Sequence, residues 1–422
     1  MLRSMFSGVS GLRSHQTMMD VIGNNIANVN TVGYKTASVV FQDLLSQVIK
    51  GAGVAVTGTD GAGGTNPAQV GLGVKIAGIT NSFTQGASQL TGRSTDLSIQ
   101  GDGFFVVRAA GQNLYTRAGS LAFDALGRVT TADGSVLQGW SADSSAVVNT
   151  NAAVGDLTMP LGQTIAPTIT STVQVGGNLP ADAALNTQIV SSITVYDKQG
   201  TPIDLSFTYQ HTGSNAWSVT ATMPHNTTGA PVTVGTANLT WDPTAVPPAF
   251  NPAPAMTVTP TANTGQFAGN TIAVDFGSTG DPDTLQQFSG AASVSALSQN
   301  GSALGALQSF TIGGDGVVTG VFSNGRTRAI GQIALAAFSN PVGLEKVGDS
   351  LYRSTVNSGL AQVGVAGAGG RGSLSGSTLE MSNVDLAQEF TNLIVAQRGF
   401  QANSRVITAS DELLQDLVNL KR

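Results

Sequence analysis

Cysteine is absent from this chain of 422 residues, and charged side chains make up only 10% of it. Without cysteine the chain can form no disulfide, no catalytic thiolate and no cysteine-based metal site, which suits an oxidising or variable compartment. An ordinary soluble domain carries roughly 25% charged residues, so the low charge content is itself unusual. The hydrophobic share of 41% still allows a buried core, and the length suggests roughly three domains.

Basic residues are also scarce, with 19 Lys and Arg against 25 Asp and Glu. No segment concentrates them, so the electrostatic footprint of a nucleic-acid partner is missing. The N-terminus has no apolar signal core, and no stretch approaches the roughly 18 apolar residues of a membrane span. We therefore expect no cleavable signal peptide and no membrane insertion, and these features alone suggest a cytosolic protein.

The motifs of common enzymes are missing as well. The dipeptide Gly-Lys of a P-loop never occurs, and neither does the G-x-S-x-G elbow of a serine hydrolase. Residues 367–372 (GAGGRG) match the dinucleotide fingerprint but lack its strand and helix, so a connector is the better interpretation. The three histidines, His15, His211 and His225, are scattered. We expect no catalytic residue, metal ligand set or cofactor, and hence no enzyme.

The two ends of the chain differ from the middle because apolar residues recur there at helical spacing. Each end carries a seam of large apolar side chains seven residues apart, with neighbours that widen it. The N-terminal seam comprises Met5, Leu12, Met19 and Ile26 with Ile22, and the C-terminal seam comprises Leu386, Leu393, Phe400, Ile407 and Leu414 with Leu417. Ser382 and Asp385 form a predicted capping pair at the start of the second helix.

A helix with a single apolar face gains most of its stability from packing that face. We therefore predict that the two terminal helices lie together in a coiled-coil-like core and need further partners. Residues 23–35 (GNNIANVNTVGYK) are unusual for a helix end, because Asn and Gly disfavour helix interiors. They form either a frayed end or a set of amides that contact other chains, and the sequence leaves both open. The candidate amides in this segment are Asn24, Asn25 and Asn28. Gln397 and Asn403, on the second predicted helix, are further candidates for contacts with other chains.

The middle of the chain has the alternation of β-strands, clearest in a three-stranded meander that runs from about residue 193 to 223. We predict two mainly β domains, the outer one inserted into the inner one. The predicted boundaries are 1–72 plus 373–422 for the terminal core, 73–140 plus 284–372 for the inner β domain, and 141–283 for the outer one. Glycine-rich connectors are expected near residues 51–64 and 364–376.

Two long blocks of sequence closely resemble the bacterial flagellar axial proteins of the rod and hook family. The first is residues 20–35 (DVIGNNIANVNTVGYK), preceded by residues 10–12 (SGL), and the second begins at residues 383–387 (NVDLA) and continues through 396–403 (AQRGFQAN). Residues 96–105 (DLSIQGDGFF) are similar to the family's inner β domain. Residues 195–200 (VYDKQG) and the following strand look like the outer domain of its hook members, whereas residues 224–271 carry no motif of the family that we recognise.

The resemblance implies a structural subunit that polymerises with itself into a curved helical tube, a flexible universal joint between rod and filament. Export through the flagellar type III apparatus would place it outside the cell without a cleavable signal, which replaces the cytosolic expectation. The implied partners are the hook cap protein, the distal rod protein and the hook-filament junction protein. The alternative within the family is a distal rod protein, a stiff shaft, and a secreted β-rich adhesin is a rival from another class.

Overall fold

A computed structural model of the chain describes residues 2–54, 64–143, 145–159, 162, 164–242, 249–250, 256–267, 269–277 and 284–419. The chain is mainly β, with a long helix near each end, and it divides into two compact units. The terminal unit comprises Met1–Met159, Phe310–Thr319 and Ala329–Arg422, and the inserted unit comprises Pro160–Ser309 and Gly320–Arg328. The mainly β, multidomain class is confirmed, while the three-domain boundaries stay a prediction.

The two helices are Leu2–Ala27 (α1) and Leu386–Asn419 (α2). At 1.5 Å per residue they are roughly 40 and 50 Å long. Asp385 caps α2, because its Oδ1 accepts the backbone N–H groups of Ala387 at 2.9 Å and Gln388 at 3.2 Å. The predicted pairing of Ser382 with Asp385 as a capping box is therefore wrong, since the Ser382 hydroxyl accepts only the N–H of Val384, at 3.4 Å, before the helix begins.

Short strands fill the rest of the terminal unit. Those that precede the inserted unit are Ala37–Asp43 (β1), Ser46–Lys50 (β2), Ala68–Gly71 (β3), Val74–Asn81 (β4), Ser88–Leu90 (β5), Leu97–Gln100 (β6), Phe104–Ala109 (β7), Gln112–Thr116 (β8), Leu121–Phe123 (β9), Val129–Thr131 (β10), Val136–Ser141 (β11) and Gly155–Asp156 (β12). Those near the C-terminus, with one 3-10 turn at Pro341–Gly343, are Leu335–Ala337 (β27), Glu345–Gly348 (β28), Leu351–Arg353 (β29), Gln362–Gly364 (β30), Ser373–Gly376 (β31) and Thr378–Glu380 (β32).

Strand β7 organises the core of the terminal unit because both of its faces are buried. Successive side chains of a strand point to opposite faces, so Phe105 and Val107 enter one apolar cluster while Phe104 and Val106 enter another. The strand pairs antiparallel with β8, β11 and β27. The turn at residues 101–103 that precedes it has a positive φ at both of its glycines.

The inserted unit consists of two sheets that enclose one apolar core. Its strands are Thr164–Ile165 (β13), Thr172–Pro180 (β14), Gln188–Tyr196 (β15), Pro202–Gly213 (β16), Ala216–Pro224 (β17), Pro231–Asp242 (β18), Ala249–Phe250 (β19), Met256–Val258 (β20), Ile272–Asp275 (β21), Leu285–Phe288 (β22) and Ser295–Gln299 (β23). Three further strands have residues in both units: Gly305–Ile312 (β24), Val317–Phe322 (β25) and Thr327–Ile333 (β26).

The predicted meander is confirmed by the register of the inserted unit. Ile193 pairs with Leu205 across β15 and β16, and Phe207 pairs with Ala221 across β16 and β17. Alternate residues of β16 and β17 are buried in the core, whereas on β15 only Val195 is buried and Ile189 and Ile193 are partly buried. Strand β14 belongs to the second sheet, where it pairs in parallel with β21 and β22.

The segment predicted as a second flexible connector, residues 364–376, is an ordered loop between β30 and β31 together with strand β31 itself. The guanidinium of Arg371 donates to the carbonyl oxygen of Val365 at 2.9 Å, and the N–H of Gly367 donates to that of Gly372 at 2.9 Å. Positive φ angles at Gly369 and Gly370 allow the tight turn. The prediction was wrong here because composition does not reveal these hydrogen bonds. Residues 55–63 of the first predicted connector lie outside the described residues.

Tyr209 leads to a prediction about the alkaline stability of the inserted unit. Burial raises the pKa of its phenol well above the ordinary value of about 10. The folded state therefore keeps a proton that the unfolded state loses, and the resulting stability is present below about pH 10 and lost above it. We expect the free energy of unfolding to fall by about 1.4 kcal/mol per pH unit from this group above pH 10.

Denaturant unfolding at several alkaline pH values, with phenolate absorbance recorded in parallel, measures this slope. The matched variant is Tyr209→Phe, which keeps the ring and removes the ionisable hydroxyl. The free energy of unfolding of the variant should fall less steeply with pH, because the contribution of this one phenol is missing. Identical slopes in the two proteins would contradict the assignment.

Candidate subunit interface on the terminal helices

Helices α1 and α2 contact each other through small residues. The hydroxyl oxygens of Ser4 and Ser410 lie 3.3 Å apart. A Cβ added to Gly11 would lie 2.7 Å from the side-chain amide of Asn403, and one added to Gly8 would lie 3.1 Å from Ile407 Cγ1. A side chain at Gly11 would force the Asn403 side chain to move, and one at Gly8 would force a smaller shift of Ile407. A seam of large apolar residues was the sequence-based expectation, and the line of small residues was missed.

One predicted seam residue, Ile407, takes part in this contact opposite Gly8, and the seam residues as a set lie at different depths. Ile22 is buried, and Leu386 is exposed. The others for which burial is described are half-buried, namely Met5, Leu12, Met19, Ile26, Leu393, Phe400, Ile407 and Leu414, whereas the side chain of Leu417 lies outside the described residues. Most of the seam is therefore only partly covered within one chain.

Helix α2 also carries large apolar side chains on faces that the chain itself leaves open. Val395, Val406 and Leu413 are 58%, 43% and 57% exposed. Leu386, Phe390 and Ile394, near the start of the helix, are similarly exposed. Contiguous apolar surface of this kind marks interaction sites on soluble proteins.

The asparagines at the end of α1 fold the chain back onto itself. Asn25 is 1% exposed, its amide donates to the Ala37 carbonyl oxygen at 2.8 Å, and its Oδ1 accepts the Ala37 N–H at 3.0 Å. The Tyr34 hydroxyl donates to Asn24 Oδ1 at 2.8 Å, and the Asn28 amide donates to the Asn24 carbonyl oxygen at 2.9 Å. The end of the helix is thus a defined structure.

Two further amides named from the sequence lie on α2. Gln397 is exposed, and Asn403 donates to the Gly399 carbonyl oxygen at 2.9 Å. Contacts of these five amides with other copies stay a prediction.

A buried ion cluster joins the ends of the two helices to the β core. Lys35 Nζ lies 2.6 Å from Glu380 Oε1, and Arg117 Nη1 lies 3.5 Å from Glu380 Oε2. The side chains of Lys35 and Glu380 are 0% exposed and that of Arg117 is 2% exposed. We call these three residues the ionic clasp. Burial lowers the pKa of Lys35, although its bond to Glu380 opposes that shift, and burial likewise lowers the pKa of Arg117.

Backbone hydrogen bonds around the clasp connect three stretches of the chain. Glu380 accepts the N–H of Gly86 on its carboxylate at 3.0 Å and the N–H of Gly33 on its carbonyl oxygen at 2.8 Å. Lys35 Nζ also donates to the carbonyl oxygen of Thr84, at 2.8 Å. The segment after α1, the segment before α2 and residues 84–86 therefore meet at one carboxylate. No sequence motif points to this cluster, apart from the position of Lys35 at the end of the first family block.

The described residues contain no group of three or more His, Cys, Asp or Glu side chains that could hold a metal ion. Among the described helices, none is both long and apolar enough to cross a membrane. The surfaces and the clasp described above are therefore the candidate functional features.

Four family models match the chain. They are "Flagella basal body rod protein" at residues 5–35, "Flagellar hook protein FlgE/F/G D1 domain" at 98–195, "Flagellar basal body protein FlaE D2 domain" at 168–302 and "Flagellar basal body rod FlgEFG protein C-terminal" at 375–420. Together they cover both helices and most of the β structure.

Individual relatives match over the whole length. The chain is 40% identical to flagellar hook protein FlgE of Borreliella burgdorferi, with 100% of each chain covered, and 34% identical to that of Salmonella typhimurium, with 99% and 100% covered. It is 33% identical to flagellar basal-body rod protein FlgG of Bacillus subtilis, with 100% of each covered. The crystal structure of Helicobacter pylori flagellar hook protein FlgE2 has a similar fold, with a TM-score of 0.53 at 15% identity over 69% of this chain and 100% of that one.

Proposed function

This chain belongs to the flagellar hook and rod protein family and is a structural subunit of the flagellar hook, and we propose that its copies polymerise into a curved helical tube. The tube acts as a flexible universal joint that carries torque from rod to filament. The observation that carries this proposal is the apolar surface of α2, with Val395 and Leu413 more than half exposed. Burying it against neighbouring copies contributes roughly 25 cal/mol per Å² of apolar area.

The terminal helices form the inner, coiled-coil-like core of the tube in this proposal. Their partly covered seams become fully packed only when neighbouring copies are present, so ordering and assembly are coupled. A head-to-tail contact that does not close on itself produces an open helical filament. The chain reaches this position outside the cell through the flagellar type III export apparatus. Its remaining partners are the hook cap protein, the distal rod protein and the hook-filament junction protein.

The inserted unit gives the tube its capacity to bend. Its sequence is rich in Ser, Thr, Ala and Gly and poor in charge. Outer surfaces of this composition lack the strong ion pairs that would lock one spacing between neighbours. Contacts between inserted units can therefore change on each revolution while the inner contacts persist. A stiff distal rod protein is the alternative function, supported by the FlgG relative.

Electron microscopy of tubes assembled from the purified full-length chain tests the proposal. We expect curved tubes that straighten and bend, with a central channel. Straight, rigid tubes would favour the rod alternative. A chain that remains monomeric at every concentration and salt condition tried would contradict polymerisation itself.

A further inference from the structure

An apolar groove lies between α1 and the start of β4 in the terminal unit. The groove has a volume of about 440 Å³. Its apolar lining is Phe6, Val9, Leu44, Leu72, Val74 and Ile76. Its polar lining is Ser10, Ser14 and Thr17 with two cations, Arg13 and Lys75. Neither cation forms an ion pair within the part of the chain that the structure describes. The groove therefore suits an apolar segment that carries negative charge.

Helix α2 bears an exposed apolar segment that ends beside carboxylates, with two arginines, Arg398 and Arg405, within it. Val395, Ala402, Val406, Ala409 and Leu413 recur at intervals of seven, four, three and four residues, and all are exposed. We call these five residues the α2 stripe. Ala402, Val406 and Ala409 directly precede Asn403, Ile407 and Ser410, which face α1. Because each residue turns an α-helix by about 100°, the stripe occupies a different face from that line.

The chain cannot fill the groove with its own stripe. The α2-facing side of α1 carries Ser4, Gly8 and Gly11, which contact Ser410, Ile407 and Asn403. The α2 stripe points away from this contact, since its members flank the buried positions and are themselves exposed. An occupant with this surface must come from a second copy.

The C-terminal part of the α2 stripe, from Ala402 to Leu413, matches the groove in length, and carboxylates at its end complement the two cations of the groove. Phe6 to Thr17 along the groove and Ala402 to Leu413 along the α2 stripe each span eleven residue steps, or roughly 16 Å. Glu412 and Asp416 are exposed on either side of Leu413 in the sequence, and neither forms an ion pair among the described residues. We propose that the α2 stripe of one copy lies in the groove of another, with these carboxylates beside Arg13 and Lys75. This inference rests on the proposed polymerisation and names the surfaces that carry it.

Charge reversal on each surface, alone and combined, tests the pairing in the full-length chain. One variant carries Arg13→Glu with Lys75→Glu, a second carries Glu412→Lys with Asp416→Lys, and the third combines all four changes. Like charges placed opposite one another in an interface cost several kcal/mol. We expect each of the first two variants to raise the monomer concentration that coexists with tubes roughly tenfold or more. The third should return to within roughly threefold of the original chain.

A matched control reverses two exposed charges of the inserted unit, Lys198→Glu with Asp182→Lys, and should leave that concentration unchanged. Circular dichroism of each variant checks that the monomer keeps its secondary structure. Tubes that form normally from the first two variants, or a combined variant that assembles no better than either, would overturn this inference. The proposed polymerisation would survive both results, because it fails only if the unaltered chain forms no tubes.

Discussion

Glu380→Gln should lower the free energy of unfolding of the terminal unit by about 3–5 kcal/mol, the usual cost of removing one partner from a buried ion pair. The change keeps the shape of the side chain but removes its negative charge. Lys35 and Arg117 would then be two buried cations with no counterion within the ionic clasp. Denaturant unfolding followed by circular dichroism measures the loss.

An exposed pair in the same unit provides the control. Arg353 Nη2 lies 2.7 Å from Glu345 Oε2, with side chains 50% and 53% exposed. Water already solvates both groups, so Glu345→Gln should cost less than about 1 kcal/mol. Equal losses for Glu380→Gln and Glu345→Gln would show that the clasp contributes no more than a surface pair.

The position of the clasp explains why its stability matters for a torque-bearing subunit. In the proposed tube, load passes from the terminal helices to the β structure of the same unit. The carboxylate of Glu380 is bound at once by the segment that follows α1, by residues 84–86 and by Arg117 from the β core. Weakening the ionic clasp would therefore loosen the connection between the terminal helices and the β-strands of the same unit.

Gly11→Leu should raise the monomer concentration that coexists with tubes about 10- to 100-fold. A side chain at this position meets the amide of Asn403, which is itself held by the carbonyl oxygen of Gly399. Inserting a large side chain into a packed contact costs about 1–3 kcal/mol. That cost is incurred by every subunit in the tube, and each 1.4 kcal/mol is a tenfold change in an equilibrium constant. Sedimentation of assembled material at a series of protein concentrations measures it.

The same substitution at Gly23 is the matched control, because a Cβ there has nothing within 4 Å. Leucine favours a helix over glycine by about 0.8 kcal/mol, so Gly23→Leu should preserve α1. Assembly of this variant therefore shows the effect of an added exposed leucine and of a higher helix propensity, without a steric clash. If Gly11→Leu assembles as well as Gly23→Leu, close contact between α1 and α2 is not required in the tube.

The sequence predicts both helices and the meander because those features depend on local periodicity. Met5 and Leu12, or Ile193 and Val195, recur at the spacing of their element, and no distant residue is needed to recognise it. The two terminal blocks are also recognisable as a family signature. The function that this signature implies agrees with that of the relatives over the whole chain. These predictions concern single segments.

The features that were missed all depend on residues far apart in the chain. Lys35 and Glu380 are separated by 345 positions, and nothing in either neighbourhood marks them as a pair. Gly8 and Gly11 look like weak points of a helix until Ile407 and Asn403 are placed beside them. The fold of residues 364–376 depends on where the Arg371 side chain reaches. Tertiary contacts override what composition suggests in each case.

Amide hydrogen exchange, compared between the dilute monomer and the assembled tube, tests most directly the claim that the terminal helices gain their stability from neighbouring copies. We expect exchange in α1 and α2 to slow by roughly 100-fold or more on assembly, since their partly covered faces become buried. Strands β16 and β17 of the inserted unit, whose core is complete in one chain, should exchange equally slowly in both states. Terminal helices already as protected in the monomer as in the tube would contradict the account.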